Sequence, residues 1–207
     1  MENNPQPVQN RRKFLITAFL LLVLVVFPAL SWLYLRGGLN WRKEALAELG
    51  NYGKIRAVNM IFPGNDKVNR VESAVCVVHS FGADPDLSGE NKFILDTGQR
   101  LFEQFGSNMN FRLVMIAQGG TAEFKTHAQT LPSADYATWV WTGALGSWST
   151  ILNNGYESYC IATGNKGYKE FYALTDTSGT IRRFYNALDE KEVGRMVEQI
   201  AILLPKE

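Results

Sequence analysis

Residues 14–35 read FLITAFLLLVLVVFPALSWLYL, 22 residues without a charge. A helix needs about 20 apolar residues to cross a bilayer core, so this run fixes the class of the chain before any other feature. Pro28 lies inside it, and membrane helices tolerate proline. Trp32 and Tyr34 stand near its far end, where aromatic rings favour the interface. The rival reading is a cleaved signal peptide. That needs a shorter apolar core of about 7–15 residues and a small-residue cleavage site, and Ala29-Leu30-Ser31 matches such a site poorly. A membrane anchor is therefore expected, with the lipid bilayer as the partner of residues 14–35.

Basic residues flank the span on both sides: Arg11, Arg12 and Lys13 before it, and Arg36, Arg42 and Lys43 after it. The count is even, but the first cluster is tighter and abuts the span. The positive-inside rule then places the N-terminus in the cytoplasm and the larger C-terminal part outside, on the periplasmic side if the membrane is a bacterial inner membrane.

The expected organisation has four parts. Residues 1–13 are a polar cytoplasmic tail, and 14–35 are the transmembrane helix. Residues 36–53 are a linker, opening on a flexible Arg36-Gly37-Gly38 joint and carrying a short helix that Asn40 caps and Gly50 ends. Residues 54–207 form the folded domain. A net charge of +1 gives no electrostatic footprint for nucleic acid. The glycine-rich pieces QGGT and TGALG lack the Lys-Ser/Thr of a phosphate loop and the dinucleotide fingerprint, so no nucleotide is expected.

Within the domain, strand and helix signals alternate. Strands are predicted over 54–62, 72–81, 111–118 and 136–143. Helices are predicted over 91–106 and 121–131, and a short one near 144–155 is stopped by Gly155. FYALTD and TIRRFYN read as a hairpin joined through TSG. A last helix opens on Asp189 as N-cap, with Glu192 as the return member of a capping box and Leu188 with Val193 as the hydrophobic staple. Alternation of this kind predicts an α/β fold. The closing hairpin and helix specify it as thioredoxin-like, a mixed central sheet flanked by helices behind one N-terminal transmembrane helix.

The chemistry-bearing residues are few. Cys76 lies in an apolar strand and reads as a buried small hydrophobe; Cys160 follows in YESYCIA. A Cys76–Cys160 disulfide is the one pairing open to them, within strict geometry, and their spacing is not that of a redox motif. His79 opens HSFGADPDLSG, on the strand just before the loop, and His127 lies on a predicted helix with a solvated surface as its plain reading. Two histidines do not assemble a nucleophile–base–acid constellation. Trp139, Trp141 and Trp148 with Tyr136, Tyr156 and Tyr159 make an aromatic stretch, readable as a partner face or as core.

This layout resembles the SCO/SenC family, membrane-anchored thioredoxin-like proteins of cytochrome oxidase copper-site assembly. The resemblance rests on one N-terminal span, a linker, and a closing FYALTDTSGTIRRFYNALDEKEVGRMVEQIAILL close in pattern to that family's last hairpin and helix. The family's metal loop has Phe, then Cys-Pro-Asp-x-Cys. Laid onto FGADPDLSG, Phe81 takes the Phe position, and Pro85 and Asp86 take Pro-Asp. Asp84 and Ser88 stand where the two cysteines would be. Counting back from Asp176 places Tyr168 where the family has its copper histidine.

Soft thiolates suit Cu(I); carboxylate and hydroxyl do not, and dithiol exchange requires thiolates. The resemblance thus implies a non-enzymatic protein with no cofactor expected. It also implies a protein partner in a respiratory complex, met in a binding or scaffold role in oxidase assembly. Two alternatives stay open: a rewired metal site from His79, Asp84 and Asp86, and a thiol redox protein using Cys76 and Cys160. Against the first, calcium wants six to eight oxygens, and Asp84 and Asp86 also read as plain loop-capping residues.

Overall fold

The computed structural model describes residues 7–55, 73–83, 88–118, 137–142 and 146–205. The chain forms two units, residues 1–44 and 45–207. The first is built on helix α1 (Pro7–Ala47), which continues through Pro28. From Lys13 onward it is long and apolar enough to cross a membrane. The expected joint at Arg36, Gly37 and Gly38 is helical instead. Glycine costs only about 1 kcal/mol per residue in a helix, which the turns on either side absorb.

The linker expectation is also corrected at its other end, because residues 45–53 belong to the folded unit. Ala45 and Leu49 are buried. The Glu48 carboxylate receives Arg183 and Arg195, the latter at 2.8 Å, and Gln199 Nε2 donates to Ala45 O and to Glu48, each at 2.9 Å. Polar side chains thus fasten the entry to the domain, and a search for apolar periodicity does not find them.

The sheet contains β1 (Val75–Ala83), β2 (Phe111–Gln118), β3 (Ala137–Thr142), β4 (Phe171–Thr175) and β5 (Ile181–Asn186). Its order is β3-β2-β1-β4-β5. β1, β2 and β3 run parallel, while β4 is antiparallel to β1 and β5 to β4. Helices α2 (Gly89–Phe105), α3 (Gly146–Thr163) and α4 (Glu190–Leu203) complete the described elements. A parallel β1-α2-β2 crossover, then a β-hairpin and a helix on one mixed sheet, is the thioredoxin-like arrangement expected from the sequence. Of the strand predicted over 54–62, Lys54 and Ile55 are described, with Lys54 in an isolated antiparallel bridge to Thr180; the rest of it, the helix predicted over 121–131 and His127 lie outside the described residues.

Alternation along β1 divides the core in two. Val75, Val77 and Phe81 face the layer built with α2 and α4, among Ile94, Leu101, Phe105, Met196 and Ile200. Cys76 and Val78 face the other layer, with Leu152 and Tyr159 of α3 and Phe184 of β5. In β5, Ile181 and Phe184 share this layer although they are three residues apart. The β4–β5 register shifts between Leu174 and Thr175, and such a bulge inserts the odd residue that brings both to one face.

The hairpin is closed by Asp176, whose Oδ1 accepts from Ser178 N at 2.9 Å and Thr180 N at 3.1 Å, with Gly179 at φ +77°. Asp189 caps α4, accepting from Lys191 N at 2.9 Å. The return half of the capping box does not form. The Asp189 N–H donates to Asn186 O at 3.3 Å, and Glu192 instead faces Arg183 at 3.6 Å. Asp189→Ala is expected to cost about 1 kcal/mol, read as a lowered urea midpoint with an unchanged slope.

Gly155 does not stop α3; the helix runs through it to Thr163. A Cβ there would stand 2.7 Å from the Tyr52 carbonyl oxygen. The residue is glycine because backbone passes over it, not because a turn begins.

Candidate functional site

The end of β1 and the segment entering β4 meet because β1 and β4 are neighbours in the sheet. His79, on β1, is buried with only 1 % of its surface exposed. Its ring packs edge-on against Phe81 at 4.4 Å and Tyr172 at 5.4 Å between centroids. Nδ1 is 2.9 Å from the Phe171 carbonyl oxygen. A carbonyl only accepts, so Nδ1 carries the hydrogen and the lone pair is on Nε2. That Nε2 is buried without a hydrogen bond among the described residues and faces the Glu170 carboxylate at 3.8 Å.

Burial pushes the His79 imidazolium down to about 4, against the smaller opposing effect of the Phe171 bond. Burial also raises the Glu170 carboxyl, with Lys169 opposing and Glu90 adding to the rise. Both groups are therefore biased toward their neutral forms.

Glu90, in the first turn of α2, is paired with Lys169. This contact ties the start of α2 to the segment before β4. Ser88 is exposed at the N-cap position of α2 with extended backbone, φ −92° and ψ 166°. Phe81 is buried. Asp84, Pro85 and Asp86 lie outside the described residues, so the rewired site from His79, Asp84 and Asp86 is described only at His79.

Tyr168 is packed into the other layer of the domain. Its ring lies 5.9 Å from Tyr156 and 6.3 Å from Tyr159, and its hydroxyl is 3.4 Å from that of Tyr159. Its backbone N–H donates to the Tyr156 hydroxyl. Burial, then the Tyr159 hydroxyl, raises its pKa, so it stays a neutral phenol. Tyr156 and Tyr159 are therefore core-forming residues; the side chains of Trp139, Trp141 and Trp148 fall outside the description.

Cys76 and Cys160 are thiols in the structure, and both border the same apolar layer. Burial pushes the Cys76 thiol up to about 12. A thiol that high is protonated at neutral pH and does not attack a disulfide. Cys160 is half-buried on α3 beside Tyr156, whose own pKa goes up to about 12, mainly by burial with Cys160 contributing. Among the described residues, no three His, Cys, Asp or Glu side chains are gathered around a single point as an ion would require.

Sequence reasoning missed Glu170, Lys169 and Glu90. Their only signal was an acid and a base directly before a strand, and their partners lie 79 or more residues away.

Neither a protein-family model nor a curated protein matches the chain. Among solved structures it is similar to BsSco, a member of the Sco family of cytochrome c oxidase assembly proteins. There the TM-score is 0.48 and the identity 10%, over 73% of this chain and 94% of that one. It is similar to a SCO1/SenC family lipoprotein from Bacillus anthracis, with TM-score 0.46 and 9% identity over 64% and 83% of the two chains. It is also similar to a thiol:disulfide interchange protein of the thioredoxin family from Chlorobium tepidum, with TM-score 0.46 and 8% identity over 74% and 97%.

Proposed function

We propose that this chain is a membrane-anchored, non-catalytic thioredoxin-like protein that serves respiratory oxidase assembly by binding a protein partner rather than by carrying copper or exchanging disulfides. The observation that carries this reading is Tyr168. At the position matched to a copper histidine, the chain places a phenol packed among Tyr156 and Tyr159. Asp84 and Ser88 at the two cysteine positions agree with it. The thiol alternative is weakened by Cys76, which burial keeps protonated. The anchor is residues 14–35, with the N-terminus cytoplasmic and the domain outside the cytoplasm.

Two measurements test this. The reduced full chain in detergent, titrated with Cu(I) against a competing chelator, is expected to take up no stoichiometric copper; tight one-to-one uptake would overturn the reading. In cells lacking the chain, assembled oxidase, read from the haem difference spectrum, is expected to fall. A copy carrying Asp84→Ala and Ser88→Ala is expected to restore it. Failure of that copy would return the loop to a chemical role.

A further inference from the structure

Among the described residues of the candidate site, His79 Nε2 is a buried atom that carries a lone pair and lacks a hydrogen bond. We propose that His79 Nε2 and the Glu170 carboxylate are two ligands of a divalent, zinc-type metal site, completed by Glu90 when Lys169 is displaced. This goes beyond the scaffold reading and does not depend on it.

Four features of the site support the assignment. A ligating imidazole usually donates its other nitrogen to a carbonyl or carboxylate, which fixes the tautomer, and Phe171 O receives Nδ1–H at 2.9 Å in this way. The two ligand atoms stand 3.8 Å apart. Zinc bonds of about 2.0–2.2 Å at a tetrahedral angle set neighbouring donors about 3.4 Å apart, so a small rotation of Glu170 closes the difference. Glu170 is the solvent-facing member, with 29 % of its side chain exposed against 1 % for His79, so an ion reaches the histidine from that side. Finally, a cation already occupies the neighbourhood: the Lys169 ammonium is paired with Glu90 and acts on Glu170 as well.

In the structure Glu90 is engaged by Lys169, so the three acids and bases do not yet surround one point. That pair is exposed, with 71 % and 50 % of the two side chains open to solvent. Exposed pairs are weak and screened by solvent, so a divalent ion displaces the ammonium at little cost. Imidazole with carboxylates suits zinc and its neighbours in the first transition row, and is unsuited to Cu(I). Burial keeps His79 neutral near pH 7, so no proton has to leave before it ligates.

The test is calorimetric titration of the full chain in detergent with Zn²⁺ at pH 7.5, repeated with Co²⁺ for its visible absorption. One saturable site is expected, with cobalt bands of nitrogen and oxygen ligation. Glu170→Gln and His79→Gln are each expected to weaken binding about 10-fold or more, and Lys169→Ala to tighten it. His127→Ala is expected to change nothing. Absence of a one-site isotherm, or an isotherm that Glu170→Gln leaves unchanged, would overturn the assignment. If His79→Gln lowers the melting temperature so far that the chain is unfolded, Glu170→Gln and the direction of the Lys169→Ala effect decide. A zinc failure leaves the Cu(I) result standing, and Cu(I) uptake leaves the zinc result standing, so the two readings fail separately.

Discussion

Lowering the pH from 6.5 to 4 is expected to remove about 3 kcal/mol of folding free energy through His79 alone. In the unfolded chain the imidazole takes its proton near 6.5; in the folded chain burial holds it down to about 4. Between those values the unfolded state binds more protons, so stability is complete above 6.5 and is lost as the pH falls toward 4. A gap of that size is worth about 3 kcal/mol at about 1.4 kcal/mol per tenfold change in proton affinity.

The Glu170 carboxylate 3.8 Å away would favour an imidazolium, but burial dominates at His79 and raises Glu170 too. Glu170 acts with the opposite sign. Its raised pKa means the folded state takes up that proton first, which returns some stability as the pH falls toward 4.5. Glu48 has a lowered pKa, chiefly through its hydrogen bond to Arg195, and its loss begins only below about 4.5. Urea unfolding of the full chain in detergent, between pH 7.5 and 4.5, reads the sum. The wild type is expected to lose stability steadily below 6.5, and His79→Gln to be nearly flat down to 5. Equal slopes in the two proteins would show that His79 does not control the acid limb.

How much of this was legible depended on distance along the chain. The Asp189 cap, the Asp176 turn and the alternation of β1 are local, and each was readable from a few neighbouring residues. Gly155 was misread for a physical reason. A glycine late in a predicted helix signals a stop by propensity, whereas the actual demand is backbone clearance under Tyr52, more than a hundred residues earlier. The same holds at residues 45–49, where Arg183, Arg195 and Gln199 determine that the entry segment is part of the domain. Phe81, Ser88 and Tyr168 were singled out through a family pattern, and His79 by its chemistry. Glu170 was not found, because it becomes a neighbour of His79 only once β4 pairs with β1. Strand order is a fact that periodicity does not encode.

Phe184→Ala is expected to be the most damaging single truncation in the layer that carries Tyr168, at about 3–5 kcal/mol. Phe184 is wholly buried. Its ring centroid lies 5.2 Å from Phe171, 5.3 Å from Tyr156, 5.6 Å from Tyr159 and 6.5 Å from Tyr52. One ring therefore holds together the entry segment, α3 and the start of β4. The surrounding aromatic rings are stiff, so the cavity collapses only in part, which places the cost toward the upper end of that range. For a chain of this size the loss corresponds to a melting temperature lower by about 10 °C or more.

Gly155→Ala separates packing from backbone clearance in the same layer. Helix propensity alone would gain about 1 kcal/mol. The new methyl, however, meets Tyr52 O at 2.7 Å, then Ile181 Cδ1 at 3.1 Å and the Phe184 ring at 3.3 Å. Overpacking of this kind costs about 1–3 kcal/mol, so the net change is destabilising. If the Tyr52 backbone sets that cost, Phe184→Ala in the same molecule will not rescue Gly155→Ala, and the two losses will add. If the Phe184 ring sets it, the double variant will be more stable than the sum predicts. In either case, loosening this layer frees Tyr168 from Tyr156 and Tyr159. Fluorescence quenching of the tyrosines should then rise in Phe184→Ala before global unfolding, because Phe184 packs against Tyr156 and Tyr159, the two rings that flank the half-buried Tyr168.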